Sequence, residues 1–253
     1  MKYPNFAEEK KLWRRGHKWV AGLDEAGRGP LAGPVIASAV AVKVKTQKLK
    51  LLNGLKDSKQ LTARQREKFF KILTNHPQIK WGVGKVSEKV IDKINILEAT
   101  KLAMAGAVKN LNKKLNNPQR SRLKSRRNSK NSGKTVVPNF HDRGNLVQQA
   151  QETRGLDFLI IDGNFKINSE IPQKSVVKAD EKVFSCAAAS IIAKVSRDRM
   201  MAKYHKKYPK YCFDRHKGYP TELHRKMIKK YGPCFIHRKT FAFFPVSGKI
   251  SKG

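Results

Sequence analysis

Between Lys18 and Val44 two apolar runs, WVAGLD and PVIASAVAV, flank a glycine-rich turn, EAGRG. The pattern predicts a hairpin-like pair of buried strands with the turn at a strand end. Buried strands need covering layers, and the rest of the sequence supplies them. DSKQLTARQREKFFKILT (57–74) opens with capping-type residues and carries Leu61, Phe69, Ile72 and Leu73 at helical spacing. Further helices are predicted at 94–111, 184–206 and 221–232, the second rich in small residues suited to close packing on a sheet and the last ended by glycine. KWGVGKVS (80–87) alternates like a strand, whereas LDFLIIDG (156–163) and KSVVKAD (174–180) are short apolar runs that both reach an aspartate. At 253 residues the chain can form one sizeable α/β domain, residues 1–253.

The apolar runs deliver acids at their ends: Asp24 with Glu25, then Asp162, then Asp180. A carboxylate following Leu23, Ile161 or Val177 costs desolvation energy unless a cation compensates it. Strand ends are where open α/β sheets bind ligands. Converging carboxylates repel one another, and divalent cations resolve the conflict; hard oxygen donors select magnesium or manganese rather than zinc. Any single acid could instead pair with one of the 55 Lys and Arg residues, but four such pairings are a poor account of the pattern. The arrangement fits two-metal phosphodiester hydrolysis, with cations about 4 Å apart.

The formal charge of +36 points to a polyanionic partner, nucleic acid ahead of an anionic membrane, without distinguishing an enzyme from a binding protein. From about Asn112 to Asn139 the chain is rich in Lys, Arg, Asn and Ser and has no acid, which predicts a disordered basic loop within an insertion at about 112–150. Cys186, Cys212 and Cys234 lack the paired spacing of a zinc site and read as free thiols of a cytoplasmic protein. The N-terminus carries no continuous apolar core of a leader, and no window of about 18 apolar residues exists.

LDEAGRGPLAGPVIASAV (23–40), GLKDSKQLTARQREKFF (54–70), LIIDGNF (159–165), VVKADEKVFSCAAASIIAKVSRDRMM (176–201) and HKGYPTELHRKMIKKYG followed by HRKTF (216–241) resemble ribonuclease HII in order and spacing. DEAGRG followed by GPV is the specific part; DSK or HR alone would be weak. The resemblance implies a ribonuclease H-like fold, a mixed central sheet flanked by helices with a helical C-terminal part. It implies a site of Asp24, Glu25, Asp162 and Asp180 holding two Mn2+ or Mg2+ ions, with Asp24 bridging them. The implied substrates are RNA/DNA hybrids and duplex DNA carrying single ribonucleotides, cut on the 5′ side of the ribonucleotide to leave a 3′-hydroxyl and a 5′-phosphate. Gly27, Arg28 and Gly29 match the family turn whose backbone contacts the 2′-hydroxyl, the group that separates RNA from DNA. Tyr219 matches the tyrosine that packs on the following sugar. Lys59 and Lys194 are candidate backbone-phosphate contacts, although a lysine in so basic a chain is otherwise a solvated surface residue. His224, His237 and Arg238 also match, in roles that capping or structural hydrogen bonds would equally explain.

Ala179 stands where the family usually has glycine, and Glu181 adds a carboxylate beside Asp180. The basic segment is longer than the family pattern, either an extra duplex-binding arm or a neutral insertion. Too few residues precede Asp24 for the N-terminal platform domain of the related ribonuclease HIII. The terminal FAFFPV lacks the spacing of a sliding-clamp peptide, and a monomer is expected. The rival reading is a catalytically silent nucleic-acid-binding protein of the same fold.

Overall fold

The computed structural model describes residues 3–43, 54–116 and 155–241. Helix α1 (Ala7–Arg14) precedes strands β1 (Val20–Ala26) and β2 (Val35–Val42), and a 3-10 turn at Ser58–Gln60 leads into α2 (Ala63–Asn75). Strand β3 (Lys80–Val86), helix α3 (Glu88–Asn116) and strands β4 (Phe158–Asp162) and β5 (Gln173–Val176) follow. The C-terminal part is helical: α4 (Ala179–Lys182), α5 (Phe184–Lys207), a 3-10 turn at Pro209–Tyr211, α6 (Phe213–His216) and α7 (Glu222–Tyr231).

The five strands run in the order β3-β2-β1-β4-β5. The β1–β2 and β2–β3 pairs are antiparallel, and the β1–β4 and β4–β5 pairs are parallel, so the sheet is mixed as expected. Every residue of β2 is buried because both faces are covered. Ala21, Leu23, Ala37, Ala39 and Ile161 face Ala103, Ala107 and Leu111 of α3. Val40 and Val42 face the Ala187–Ile192 stretch of α5, and Val20 and Ile160 meet Cys186. Truncating a fully buried side chain such as Ile160 to alanine should cost about 2–5 kcal/mol. The approach of α5 is close because position 22 is glycine: a Cβ there would lie 2.3 Å from the backbone nitrogen of Cys186. Alternation along β1 then puts Asp24, two residues beyond Gly22, on the same α5 face.

Several local expectations are corrected. The helix foreseen over 57–74 starts at Ala63, where Thr62 and Gln65 form a reciprocal capping box, and Asp57 instead caps the preceding 3-10 turn. In α3, Asn95 has φ 64° and breaks the helical path, while its Oδ1 accepts from the amides of Leu97 and Glu98 at 2.9 and 3.1 Å. The same helix runs on through Asn116, so the basic loop does not begin at Asn112. Leu115 is buried, and the Asn112 side chain accepts from the Leu156 amide at 3.1 Å, which ties this last turn to the core. The remainder of the proposed insertion, from residue 117, and the FAFFPV stretch after Phe241 lie outside the described residues. Asp180 does not end a strand: β5 stops at Val176, Lys178 adopts a left-handed conformation, and Asp180 sits in the short α4. Among the described residues no helix is long and apolar enough to cross a membrane.

Candidate active site

Strands β1, β4 and β5 are parallel, so their C-terminal ends open on one edge of the sheet. Asp24 comes from β1, Asp162 is the last residue of β4, and the turn after β5 carries Asp180 back to them. One carboxylate oxygen from each of Asp24, Asp162 and Asp180 lies within 4.8 Å of the others. Hard divalent cations bind oxygen at about 2.0–2.6 Å, so the three can share one ion. Glu25 stands beside this trio rather than in it. Its Oε1 lies 3.4 Å from Nη1 of Arg28, and its buried Oε2 has no hydrogen-bond partner among the described residues.

Burial raises the Asp24 carboxyl well above the usual carboxylate range, and the neighbouring Glu25 and Asp162 push it the same way. Only specific hydrogen bonds oppose this: Ser190 of α5 bonds its side chain, and the Glu25 amide donates to Oδ1 at 2.6 Å. Burial also lifts Glu25, to about 7, against the pull of Arg28. Asp162 is raised by burial and by Asp180, although the Ala179 amide donates to its Oδ1 at 2.7 Å. That bond comes from the backbone, which explains why alanine serves in place of glycine at 179. A cluster that cannot ionise fully in isolation and has an orphaned oxygen is chemically suited to a divalent cation.

Lys59 does not stand free for a phosphate: its ammonium lies 3.1 Å from Oδ2 of Asp180, and this partner raises its pKa against the opposing effect of burial. Sequence reasoning missed its neighbour Asp57. This aspartate is buried, accepts from the Lys59 amide at 3.1 Å, and is raised by burial, with Asp180 pushing in the same direction. The signal was an acid directly after the apolar GL pair and a lysine, inside the DSK motif. Glu181 points outward, 3.8 Å from the Lys178 ammonium and 42% exposed. Lys194 is engaged along its own helix with Asp198 at 2.7 Å.

The turn after β1 is gripped from below. Gly27 has φ 100°, and a Cβ on it would lie 2.1 Å from Nε of Arg197, so glycine here is demanded by internal packing. Arg28 and Gly29 are exposed, and open space lies where a Cβ on Gly29 would be. Tyr219 is 39% exposed and its ring lies 5.8 Å from the Arg197 guanidinium carbon. Its segment is stitched to the turn: the Leu31 amide donates to the Gly218 carbonyl at 2.8 Å, and Arg197 bonds the carbonyls of Ala32, Pro34 and Lys217.

His224 and His237 are buried beneath this loop and hold it by a directional chain. The Cys234 amide donates to Nδ1 of His237 at 2.8 Å, leaving its Nε2–H to face Nε2 of His224 at 3.1 Å. Nδ1–H of His224 then donates to the Tyr219 carbonyl at 2.9 Å. Burial lowers both rings to about 4, consistent with neutral imidazoles. These histidines support the tyrosine segment.

Solved structures share this architecture. Ribonuclease H2 from Pyrococcus horikoshii OT3 aligns with TM-score 0.58 and 28% identity over 89% of this chain and 94% of that one. Bst-RNase HIII in complex with Mn2+ aligns with TM-score 0.54 and 19% identity over 90% and 68%, a likeness of fold alone. The fold is therefore ribonuclease H-like. The family model for ribonuclease HII matches residues 21–152 and 160–243. A curated ribonuclease HII from Acetivibrio thermocellus is 45% identical over 233 residues, 92% of this chain and 73% of its own length. The chain belongs to the ribonuclease HII family, and with it to the ribonuclease H nucleases, hydrolases that act on nucleic acid.

Proposed function

We propose that this protein hydrolyses RNA in RNA/DNA hybrids and at single ribonucleotides embedded in duplex DNA, using two divalent cations and leaving a 3′-hydroxyl and a 5′-phosphate. The observation that carries the reading is the convergence of Asp24, Asp162 and Asp180, with oxygens within 4.8 Å, beside a fourth carboxylate whose Oε2 lacks a partner among the described residues. Asp24, Glu25, Asp162 and Asp180 would hold Mg2+ or Mn2+, which when bound supplies Lewis-acid chemistry for the attacking water and the leaving oxygen. In the balanced reaction a water oxygen bonds to phosphorus, the bond to the 3′-oxygen of the preceding nucleotide breaks, and that oxygen takes a proton.

The protein's own residues position the strand. The backbone of Gly27, Arg28 and Gly29 faces the 2′-hydroxyl and the Tyr219 ring packs on the following sugar, whereas Lys59 and Lys194, paired with Asp180 and Asp198 in the free protein, would have to exchange those partners to attend backbone phosphates. The wider basic surface supplies sequence-independent, salt-dependent affinity. The complex of Bst-RNase HIII with Mn2+ lends support to the cation, on the likeness of fold. The test is cleavage of a duplex with one ribonucleotide, with Mg2+, with Mn2+ and with chelator. Metal-dependent incision immediately 5′ of the ribonucleotide is expected. Binding without incision under every metal condition would favour the catalytically silent alternative.

A further inference from the structure

The interior beneath the β1–β2 turn holds two guanidinium groups with no carboxylate at salt-bridge distance among the described residues, Glu88, Asp92 and Asp198 acting on them only from further away. Arg197 and Arg238 have zero exposed surface, and among the described residues neither forms a salt bridge. Each is satisfied by main-chain carbonyls instead. Arg238 donates through Nε to Gly33 at 2.9 Å, through Nη1 to Arg28 at 2.9 Å and through Nη2 to Gly27 at 2.6 Å. Arg197 takes Pro34 at 3.1 Å, Lys217 at 2.9 Å and Ala32 at 3.0 Å. Burial lowers both groups, and Arg197 lies close enough to disfavour the Arg238 charge further. A chain with abundant surface for its 55 Lys and Arg thus keeps two of them where burial is most costly.

The bonds to Gly27 and Arg28 have a geometric consequence. The carbonyl of one residue and the amide of the next point in opposite directions across a planar trans peptide, and no cis peptide occurs among the described residues. Two successive carbonyls drawn inward onto one guanidinium therefore turn two successive N–H groups, of Arg28 and Gly29, away from it. In an extended strand successive carbonyls would alternate. Neither amide has an acceptor among the described residues, whereas the amides of Leu31 and Gly33, in the same segment, are used by Gly218 and Ile236 at 2.8 Å each. The two N–H groups lie on exposed residues, next to the open space at Gly29. A cationic donor on each carbonyl also polarises its peptide and strengthens the outward N–H as a donor.

We propose that Arg238, backed by Arg197, is a positioning residue for ribonucleotide recognition: it orients the Arg28 and Gly29 peptides so that their amides donate to the 2′-hydroxyl oxygen. This rests on the activity proposed above. The fork-shaped guanidinium can meet Gly27, Arg28 and Gly33 at once, and a lysine ammonium at the same place cannot.

The experiment uses the full chain, wild type and Arg238→Lys, at one salt concentration. Single-turnover cleavage of a single-ribonucleotide duplex is measured with binding of an all-DNA duplex as control, and backbone amides are followed by 15N NMR. The expected result for Arg238→Lys is a cleavage rate reduced about tenfold or more, DNA binding within about twofold because the surface charge is untouched, and displaced Arg28 and Gly29 resonances. Wild-type-like cleavage with unmoved Arg28 and Gly29 resonances would overturn the proposal while leaving the activity standing. Absence of ribonucleotide-selective cleavage by the wild type would defeat the activity itself. Should the lysine variant not fold, the wild type decides. A single-ribonucleotide duplex should shift the Arg28 and Gly29 amides beyond what all-DNA produces, and beyond Leu31 and Gly33. Equal shifts with both duplexes would assign these amides to phosphate and overturn the proposal.

Discussion

Two buried charge clusters meet at the segment that leaves β1, and only one of them is complete. Asp24, Asp162 and Asp180 crowd like charges together with Glu25 Oε2 unpartnered among the described residues, whereas Arg197 and Arg238 bury like charges with three carbonyl acceptors each. Lys59 pairs with Asp180 and Arg28 with Glu25, but among the described residues Asp24 and Asp162 form no salt bridge, so the cluster remains a demand on something outside the chain. The arginines have been answered from within and act as framework. Buried charge of itself does not mark a functional site; buried charge that the fold leaves unanswered does.

The largest effect that separates the two clusters should follow Asp24→Asn, with turnover falling by several orders of magnitude while duplex binding persists. Removing a buried charge whose pKa is raised should leave the metal-free melting temperature unchanged or higher. Near-normal cleavage would sink the assignment of Asp24 to the metal site. The framework should respond in the opposite way. Arg197→Met strips the partner from three buried carbonyls and should cost about 3–5 kcal/mol of stability, with or without divalent metal. Calorimetry showing a loss below about 1 kcal/mol would make that arginine dispensable and break the contrast.

The carboxylate cluster and the histidine pair beneath the tyrosine segment should also pull stability in opposite directions with pH. His224 and His237 take up protons near 6.5 when unfolded but only near 4 when folded, so the unfolded chain binds more protons between these values. Their contribution falls as pH falls through that window. Glu25, raised to about 7 from 4.5, binds protons first in the folded state and favours stability as pH falls through its own window. The informative quantity is the difference between wild-type and His237→Asn stability from pH 7.5 to 4. It should shrink on acidification, and a constant difference would remove the neutral-imidazole chain from the account.

The smallest effect is expected at Glu181→Gln. This carboxylate is largely solvated and loosely paired with Lys178, so turnover should stay within about twofold. A collapse of activity there would place Glu181 among the groups that serve the metal and would redraw the cluster.

Much of this was legible before any coordinates. The apolar runs around EAGRG and the LIID run reported buried strands, because a strand covered on both faces needs apolar residues at nearly every position. Acids at the ends of such runs marked a candidate site, because desolvation makes them costly there unless a cation compensates them. The early end assigned to α3 came from composition: basic, polar residues after Asn112 hid the single Leu115 that carries the helix back to the core. Asp180 was legible as a candidate ligand but not as a helical residue, since nothing in KSVVKAD announces the left-handed Lys178 that turns the chain.

The sequence by itself determined the strands, their terminal carboxylates, the glycine turn and the family, all of which are local patterns of residue type. Only the tertiary structure decided which charges are answered. Arg238 reaches Gly27 across 211 positions and Arg197 reaches Ala32 across 165, and although both fall in segments that match the family, nothing local in a chain with 55 Lys and Arg said what either would hold. Asp57 and Lys59 likewise became neighbours of Asp180 only when α4 and the 3-10 turn met against α5. Hydrophobicity and capping act over a few residues and can be read along the chain, whereas the desolvation of a charge and the acceptors that compensate it are fixed by segments distant in sequence.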